Sequence, residues 1–354
     1  QLYEGLREVL EKKENNVDEE GMLFKTTPYI EVKGSDPKLI PTMEMSVLYG
    51  VLKSDEEIRN SNKPLILITA SYDFLSIAPG MSKGINAASG MMAIYDLSRI
   101  FAQLLEDPRL KDSVEYDFMF ILTPGSFMDY EISGQFIESL NDKLKEKIKF
   151  ILSLDSIAYS NDLTLHFGNV NSKESKFAKE TLVTLRETVS SFGKNIKFNK
   201  KPSPGNFYEW EHIRYSDKGF FSGTLTTDPN DGFNSTFAKF SVFDTEQNFD
   251  YDAYQENVKI IAEFLFNIIF PDFKDQENFF RSDESLVDTD INTQLIKFLS
   301  ENPRIPTQLS GDSKITQELL RLLKFNVKNT KVRRIRVNNP KFYEDSPTVH
   351  KLRA

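Results

Sequence analysis

Two carboxylates stand where an α/β chain does its chemistry: Asp73, just past the apolar run Leu65–Ala70, and Asp155, at the end of FILSL (Phe150–Leu154). An open α/β sheet builds its site at the carboxyl ends of its strands. Taken in that order, the ends carry Ser71 and Asp73, then Asn86, then Gly125 and Ser126, then Asp155, and finally the loop Asp228–Asp244. Carboxylates so placed suit metal-assisted hydrolysis. That chemistry needs a divalent ion held by several anionic or imidazole ligands, and a carboxylate to take the proton from water. Ser71, Asn86, Gly125 and Ser126 supply neither, so the affinity of such a site for zinc should largely vanish.

The remaining reactive residues do not restore the set. Of the three histidines, His166 sits in the strand-like LTLHF and reads as structural, and His350 lies in the tail. His212 ends Trp210-Glu211-His212, a Glu-His pair beside the sole tryptophan. It matches no His-Glu-x-x-His helix and reads as a structural hydrogen-bonding cluster, with a metal or acid/base site as the alternative. Without cysteine there is no thiol nucleophile, disulfide or thiolate metal site.

Apolar content of 39% with 29 Phe in 354 residues supports a substantial core and excludes a disordered chain. The net charge of −9 argues against direct nucleic-acid binding. That charge is uneven: Lys324–Ala354 holds nine Lys/Arg against two Asp/Glu, which leaves about −16 on the rest. The basic end reads as a solvated surface strand and tail. No run of eighteen apolar residues exists to span a bilayer. A chain that starts at Gln1 and stops in a basic segment reads as a piece of a longer protein, with any signal peptide or anchor outside it. The one sequon, Asn234-Ser235-Thr236, marks Asn234 as a possible glycosylation site.

Several elements must position these residues. A charged helix is expected over Leu2–Asn15, then strands at Met43–Leu52 and Leu65–Ala70, with an amphipathic helix from Ala87 that Pro108 closes. Next come a strand at Tyr116–Thr123, a helix at Ile132–Lys147, strands at Phe150–Ala158 and Leu163–Phe167, and a helix at Lys173–Phe192. A strand at Lys218–Thr227 and a helix at Tyr251–Phe270 follow, then helices at Thr289–Ser300 and Ile315–Phe325 and the strand-like KVRRIRV. The alternation predicts a three-layer α/β/α domain with a mixed, mostly parallel sheet. The divisions read as an incomplete N-terminal region (1–42), the α/β domain (43–270), and C-terminal helices with a basic segment (271–354).

The succession of strand ends resembles the di-zinc aminopeptidase family. Laid on that pattern, the first metal-binding His is Ser71, the Asp that orients it is Asp73, and the bridging Asp is Asn86, set before Ser89-Gly90. The Glu-Glu pair, including the general base, falls at Gly125-Ser126; the third-strand Asp is kept as Asp155; the last His falls near Phe240, ahead of Phe243-Asp244-Thr245. One of five ligand positions keeps its residue type. Adding Phe207–Tyr215, Tyr72-Asp73, Ala78-Pro79 and the late Pro340–Tyr343, the chain resembles the nicastrin/nicalin family over Pro64–Phe270. That resemblance implies no catalysis, no cofactor, and a luminal domain held to the endoplasmic reticulum membrane by an anchor outside this chain. It further implies a complex with the nodal modulator protein and a multipass membrane subunit, at the Sec61 translocon, aiding multipass membrane protein insertion. Two alternatives stay open: a metal-dependent aminopeptidase using Asp73, Asp155 and Glu211 or His212, and a nicastrin-like peptide-recognition module.

Overall fold

The computed structural model describes residues 29–34, 38–39, 42–52, 61–74, 83–168, 175–200, 210–228, 243–273, 280–281, 286–302, 304, 313–327, 329–338, 343–344 and 347–353. They form two compact units, one from 1–43 with 338–354 and one from 44–337. In the smaller unit β1 (Tyr29–Gly34) pairs antiparallel with a strand at Pro347–Arg353, and β2 (Lys38–Leu39) with one at Tyr343–Glu344. The helix expected over Leu2–Asn15 lies outside the described residues.

The larger unit runs β3 (Thr42–Val51), β4 (Leu65–Ser71), α1 (Ile85–Leu104), α2 (Pro108–Ser113), β5 (Asp117–Thr123), α3 (Glu131–Glu138), α4 (Asp142–Lys147), β6 (Ile148–Leu154) and β7 (Leu163–Phe167). It continues with α5 (Ser175–Ser191), β8 (Ile196–Lys200), α6 (Glu211–Asp217), β9 (Ser222–Thr226), α7 (Tyr251–Ile269), α8 (Thr289–Glu301), α9 (Lys314–Asn326) and β10 (Asn329–Asn338). One eight-stranded sheet has the order β10-β3-β5-β4-β6-β9-β7-β8. The contacts β4–β5, β4–β6, β6–β9 and β7–β8 are parallel; β3–β5 and β7–β9 are antiparallel. This is the mixed, mostly parallel α/β sheet that the alternation of strands and helices predicts.

β4 shows why the sheet is covered on both sides. Ile66, Ile68 and Ala70 join the core that holds α1, while Thr69 bonds Glu211 of α6 across the opposite face. A strand buried on both faces reads as a continuous apolar run, which is what LILITA is. On the first side α1 packs on β4 and β6 and beneath α7, α8 and α9; on the other, α3 and α6 pack together. The amphipathic faces of α8 (Leu295, Ile296, Leu299) and α9 (Leu319, Leu320, Leu323) are buried in that core, and the Tyr95 hydroxyl of α1 donates to the Leu319 carbonyl at 3.0 Å.

Boundaries differ from expectation where a local cap intervenes. α1 begins at Ile85, two residues before Ala87, after Gly84 in the left-handed region at φ 62°. Pro108 does not end α1 but starts α2, with the Asp107 side chain accepting from the Arg109 N–H. The single helix expected over Ile132–Lys147 is two, because the Asn141 side chain accepts from the Leu144 N–H at 2.8 Å and starts α4. β6 stops at Leu154, short of Ala158, since Ser156 takes φ 52° and cannot continue a strand. β9 begins at Ser222, later than Lys218, because Lys218 and Gly219 (φ 86°) form the turn that ends α6.

Candidate functional site

At the end of β4, Asp73 is 3% exposed and its two carboxylate oxygens lie 3.0 and 3.2 Å from the Ser126 backbone N–H, which donates to them. That donor is placed by the turn after β5, where Gly125 has φ 99° and an added Cβ would stand 3.0 Å from Ile132. A glutamate at this position would be strained as well as crowded. Asn86, fully buried, opens α1. Its backbone N–H donates to the Asp244 carboxylate at 2.7 Å, and its Nδ2 donates to the Asn248 carbonyl at 2.9 Å. The Ala87 N–H donates to the other Asp244 oxygen at 3.1 Å.

Asp155 follows β6. Its carboxylate accepts from the Ser156 hydroxyl at 2.9 Å and from Tyr130 at 3.4 Å. Tyr130 and Ser156, which bond it, and Asp129, which precedes Tyr130, have φ of 56°, 52° and 51°. Such left-handed non-glycine residues each cost roughly 1–3 kcal/mol and persist only where surrounding contacts fix them. The Ser89-Gly90 that follows Asn86 draws α1 against this strand end. The Ile157 N–H donates to the Ser89 hydroxyl at 2.7 Å, and a Cβ at Gly90 would lie 2.1 Å from the Leu154 carbonyl oxygen.

The electrostatics follow from burial. It pushes the Asp73 carboxyl up, against the opposing pull of backbone N–H groups at Ser126 and Gly125. Asp244 is pushed up to about 6 by burial, although the Asn86 and Ala87 N–H groups and the charge of Arg304 pull it down. Arg304 is itself lowered to about 10 by burial, with Asp244 and Asp73 opposing that shift. Burial, with Asp155 next, also raises the Tyr130 hydroxyl.

The donor set does not fit a di-zinc centre. Ser71 and Ser126 are neutral, Gly125 has no side chain, and Asn86 spends its amide N–H on a carbonyl. The oxygens of Asp73 and Asp155 accept from protein donors. Among the described residues no three His, Asp or Glu side chains are grouped to hold a metal ion. Asn234 and Phe240 lie outside the described residues. The Ser71 and Ser126 hydroxyls and the Asn86 side-chain oxygen are buried with no partner among the described residues.

Trp210, Glu211 and His212 stand at the start of α6, and the Glu211 charge acts on the Tyr130 hydroxyl together with those of Asp155 and Asp73. Glu211 is 2% exposed and accepts from four hydroxyls at 2.7–2.8 Å: Thr69 of β4, Thr123 of β5, Ser133 of α3 and Tyr215 of α6. His212 Nδ1 lies 2.9 Å from the Thr224 hydroxyl, and the His166 ring stacks on Trp210 at 4.7 Å. The three residues pin α6 to the sheet and are not brought to Asp73 or Asp155 by any of these bonds.

Two residues central to the strand ends were missed as site residues by sequence reasoning. Asp244 appears there only as a landmark after Phe240, though its place before a Thr in a polar loop is a usual capping context. Arg304 carries no motif at all; its one signal is a lone cation between Pro303 and Pro306.

The chain is similar to known proteins. Over 341 residues the chain is 25% identical to the BOS complex subunit ncln of Danio rerio, a match covering 87% of this chain and 58% of the relative. It is 26% identical over 219 residues to the BOS complex subunit NCLN of Homo sapiens, covering 58% of this chain and 38% of that one. The chain is similar to nicalin sequences. It spans 38% to 58% of the length of these nicalin sequences. No family model matches it. The crystal structure of the gamma-secretase component nicastrin superposes with a TM-score of 0.62 at 13% identity, over 84% of this chain and 62% of that one, which shows a common fold. These nicalin sequences carry the name of a complex subunit. No helix among the described residues is long and apolar enough to cross a membrane.

Proposed function

We propose that this chain is a non-catalytic luminal scaffold subunit of an endoplasmic reticulum membrane complex, held by an anchor outside the 354 residues. In this reading it assembles with the nodal modulator protein and a multipass membrane subunit at the Sec61 translocon, and supports insertion of multipass membrane proteins. The relation to BOS complex subunits supports the assembly role. The observation that carries the non-catalytic part is the donor set. At the position of the general base stands Gly125 with φ 99°, and the retained Asp73 and Asp155 accept from protein donors. Hydrolysis by a metal-bound water has neither ligands nor base there. Asn234 is proposed as a glycosylation site in the same luminal setting.

Affinity purification of the full-length, membrane-anchored protein tests the assembly. Co-isolation of translocon components and a multipass subunit supports it; a monodisperse protein without them overturns it. A peptide-recognition role for the old cleft is favoured by one observation, the buried Ser71, Ser126 and Asn86 oxygens without partners among the described residues. A peptide with a free amino end should then protect the Asp73 connection from proteolysis, and absence of protection with any peptide counts against that role.

A further inference from the structure

A buried guanidinium must find both acceptors and compensating charge. Arg304, 2% exposed, comes from the stretch between α8 and α9. Its guanidinium donates to the carbonyls of Tyr72 at 3.3 Å, Lys83 at 2.8 Å and Gly84. It lies 5.7 Å from the centre of the Phe74 ring, and its own carbonyl accepts from the Phe74 N–H at 3.0 Å. Tyr72 and Phe74 precede residues 75–82, and Lys83 and Gly84 follow them. One side chain therefore ties the end of β4 to the start of α1. The Lys83 and Gly84 N–H groups donate in turn to the Asp244 carbonyl, at 3.2 and 3.0 Å, so the 243–248 segment joins the same knot. Asp73 and Asp244 are the acidic groups whose charge faces Arg304.

In a metal-dependent hydrolase a bound cation organises the strand-end loops. Here the donors do not fit a metal, yet the backbone at these strand ends is still held to a cation. We propose that a guanidinium-shaped site, filled by Arg304, has taken over that organising role. It fixes both stems of the β4–α1 connection and supplies positive charge to Asp73 and Asp244. The positions of Tyr72, Phe74, Lys83 and Gly84 are thereby set by Arg304, and whatever displaces Arg304 releases them. Fork geometry matters as much as charge: the two terminal nitrogens of one planar group reach three carbonyls in fixed directions, with its carbon 5.7 Å from the Phe74 ring centre, where an ammonium offers a single compact point of charge.

Hydrogen exchange on the full-length protein tests this, with Arg304→Ala and Arg304→Lys beside the wild type. In Arg304→Ala the amides of Phe74, Lys83 and Gly84 should exchange at least about tenfold faster, while those of α7 keep their rates. Millimolar methylguanidinium should return the rates toward wild type, and methylammonium should not. Arg304→Lys should stay fast, and it carries the comparison if Arg304→Ala does not fold. Unchanged exchange at 72–86 in the folded variants overturns the proposal. So does an acceleration that spreads equally over α7, or equal rescue by methylammonium, which would reduce Arg304 to a point charge.

Discussion

The Asp244 carboxylate sits on the N-terminus of α1, 2.7 Å from the Asn86 N–H. It meets the unsatisfied donors and positive dipole end of that helix, and what it holds is backbone.

That placement has a pH signature. Asp244 is raised from 3.8 to about 6, and Asp73 is raised as well, both by burial first. The native state then binds the Asp244 proton more tightly than the unfolded chain. The associated stability is fully present below about pH 4 and is lost as pH rises through about 6. The melting temperature should climb on acidification from about pH 7 to about pH 5, and Asp244→Asn should flatten that slope. An unchanged slope in the variant would remove Asp244 as its source.

Glu211 is a carboxylate whose described partners are four hydroxyls. Replacing it with Gln turns one acceptor oxygen into a donor among donors. Glu211→Gln should cost about 2–4 kcal/mol of unfolding free energy by urea denaturation, with no effect on any hydrolytic readout. A variant as stable as wild type would show that these hydroxyls find other acceptors.

Gly125 is conformationally required. Its φ is 99°, and a side chain there would put its Cβ 3.0 Å from Ile132, so Gly125→Ala should lower stability by about 1–3 kcal/mol. For the same reason Gly125→Glu should fail to restore peptidase activity. Stable protein with new activity would contradict this reading of the turn.

Asp155 accepts from Ser156 and Tyr130, so Asp155→Ala strands two buried hydroxyls. It should cost about 1–3 kcal/mol and change no measurable catalysis. An unchanged melting temperature would argue that Asp155 is kept for something other than structure.

Much of this architecture was legible in the chain. LILITA and YDFMFILT are continuous apolar runs, and α7 and α9 have clear faces, because burial on both sides or on one side writes itself into spacing. β8 was not legible: it is an edge strand of half-exposed residues, IKFNK, with no strong alternation. α6 was hidden because its seven residues are mostly buried and one of them is Glu211, whose burial depends on hydroxyls from three other elements. The strand-end residues could be ordered from sequence, but their partners could not. Asp244 reaches Asn86 across 158 positions and Arg304 reaches Gly84 across 220, and local pattern carries no trace of contacts so distant.

If these strand ends hold no metal, the purified full-length protein should carry no stoichiometric zinc, before or after incubation with zinc and removal of excess, as metal analysis would measure. One or more tightly bound zinc ions per chain would contradict this and return the protein to the metallopeptidases.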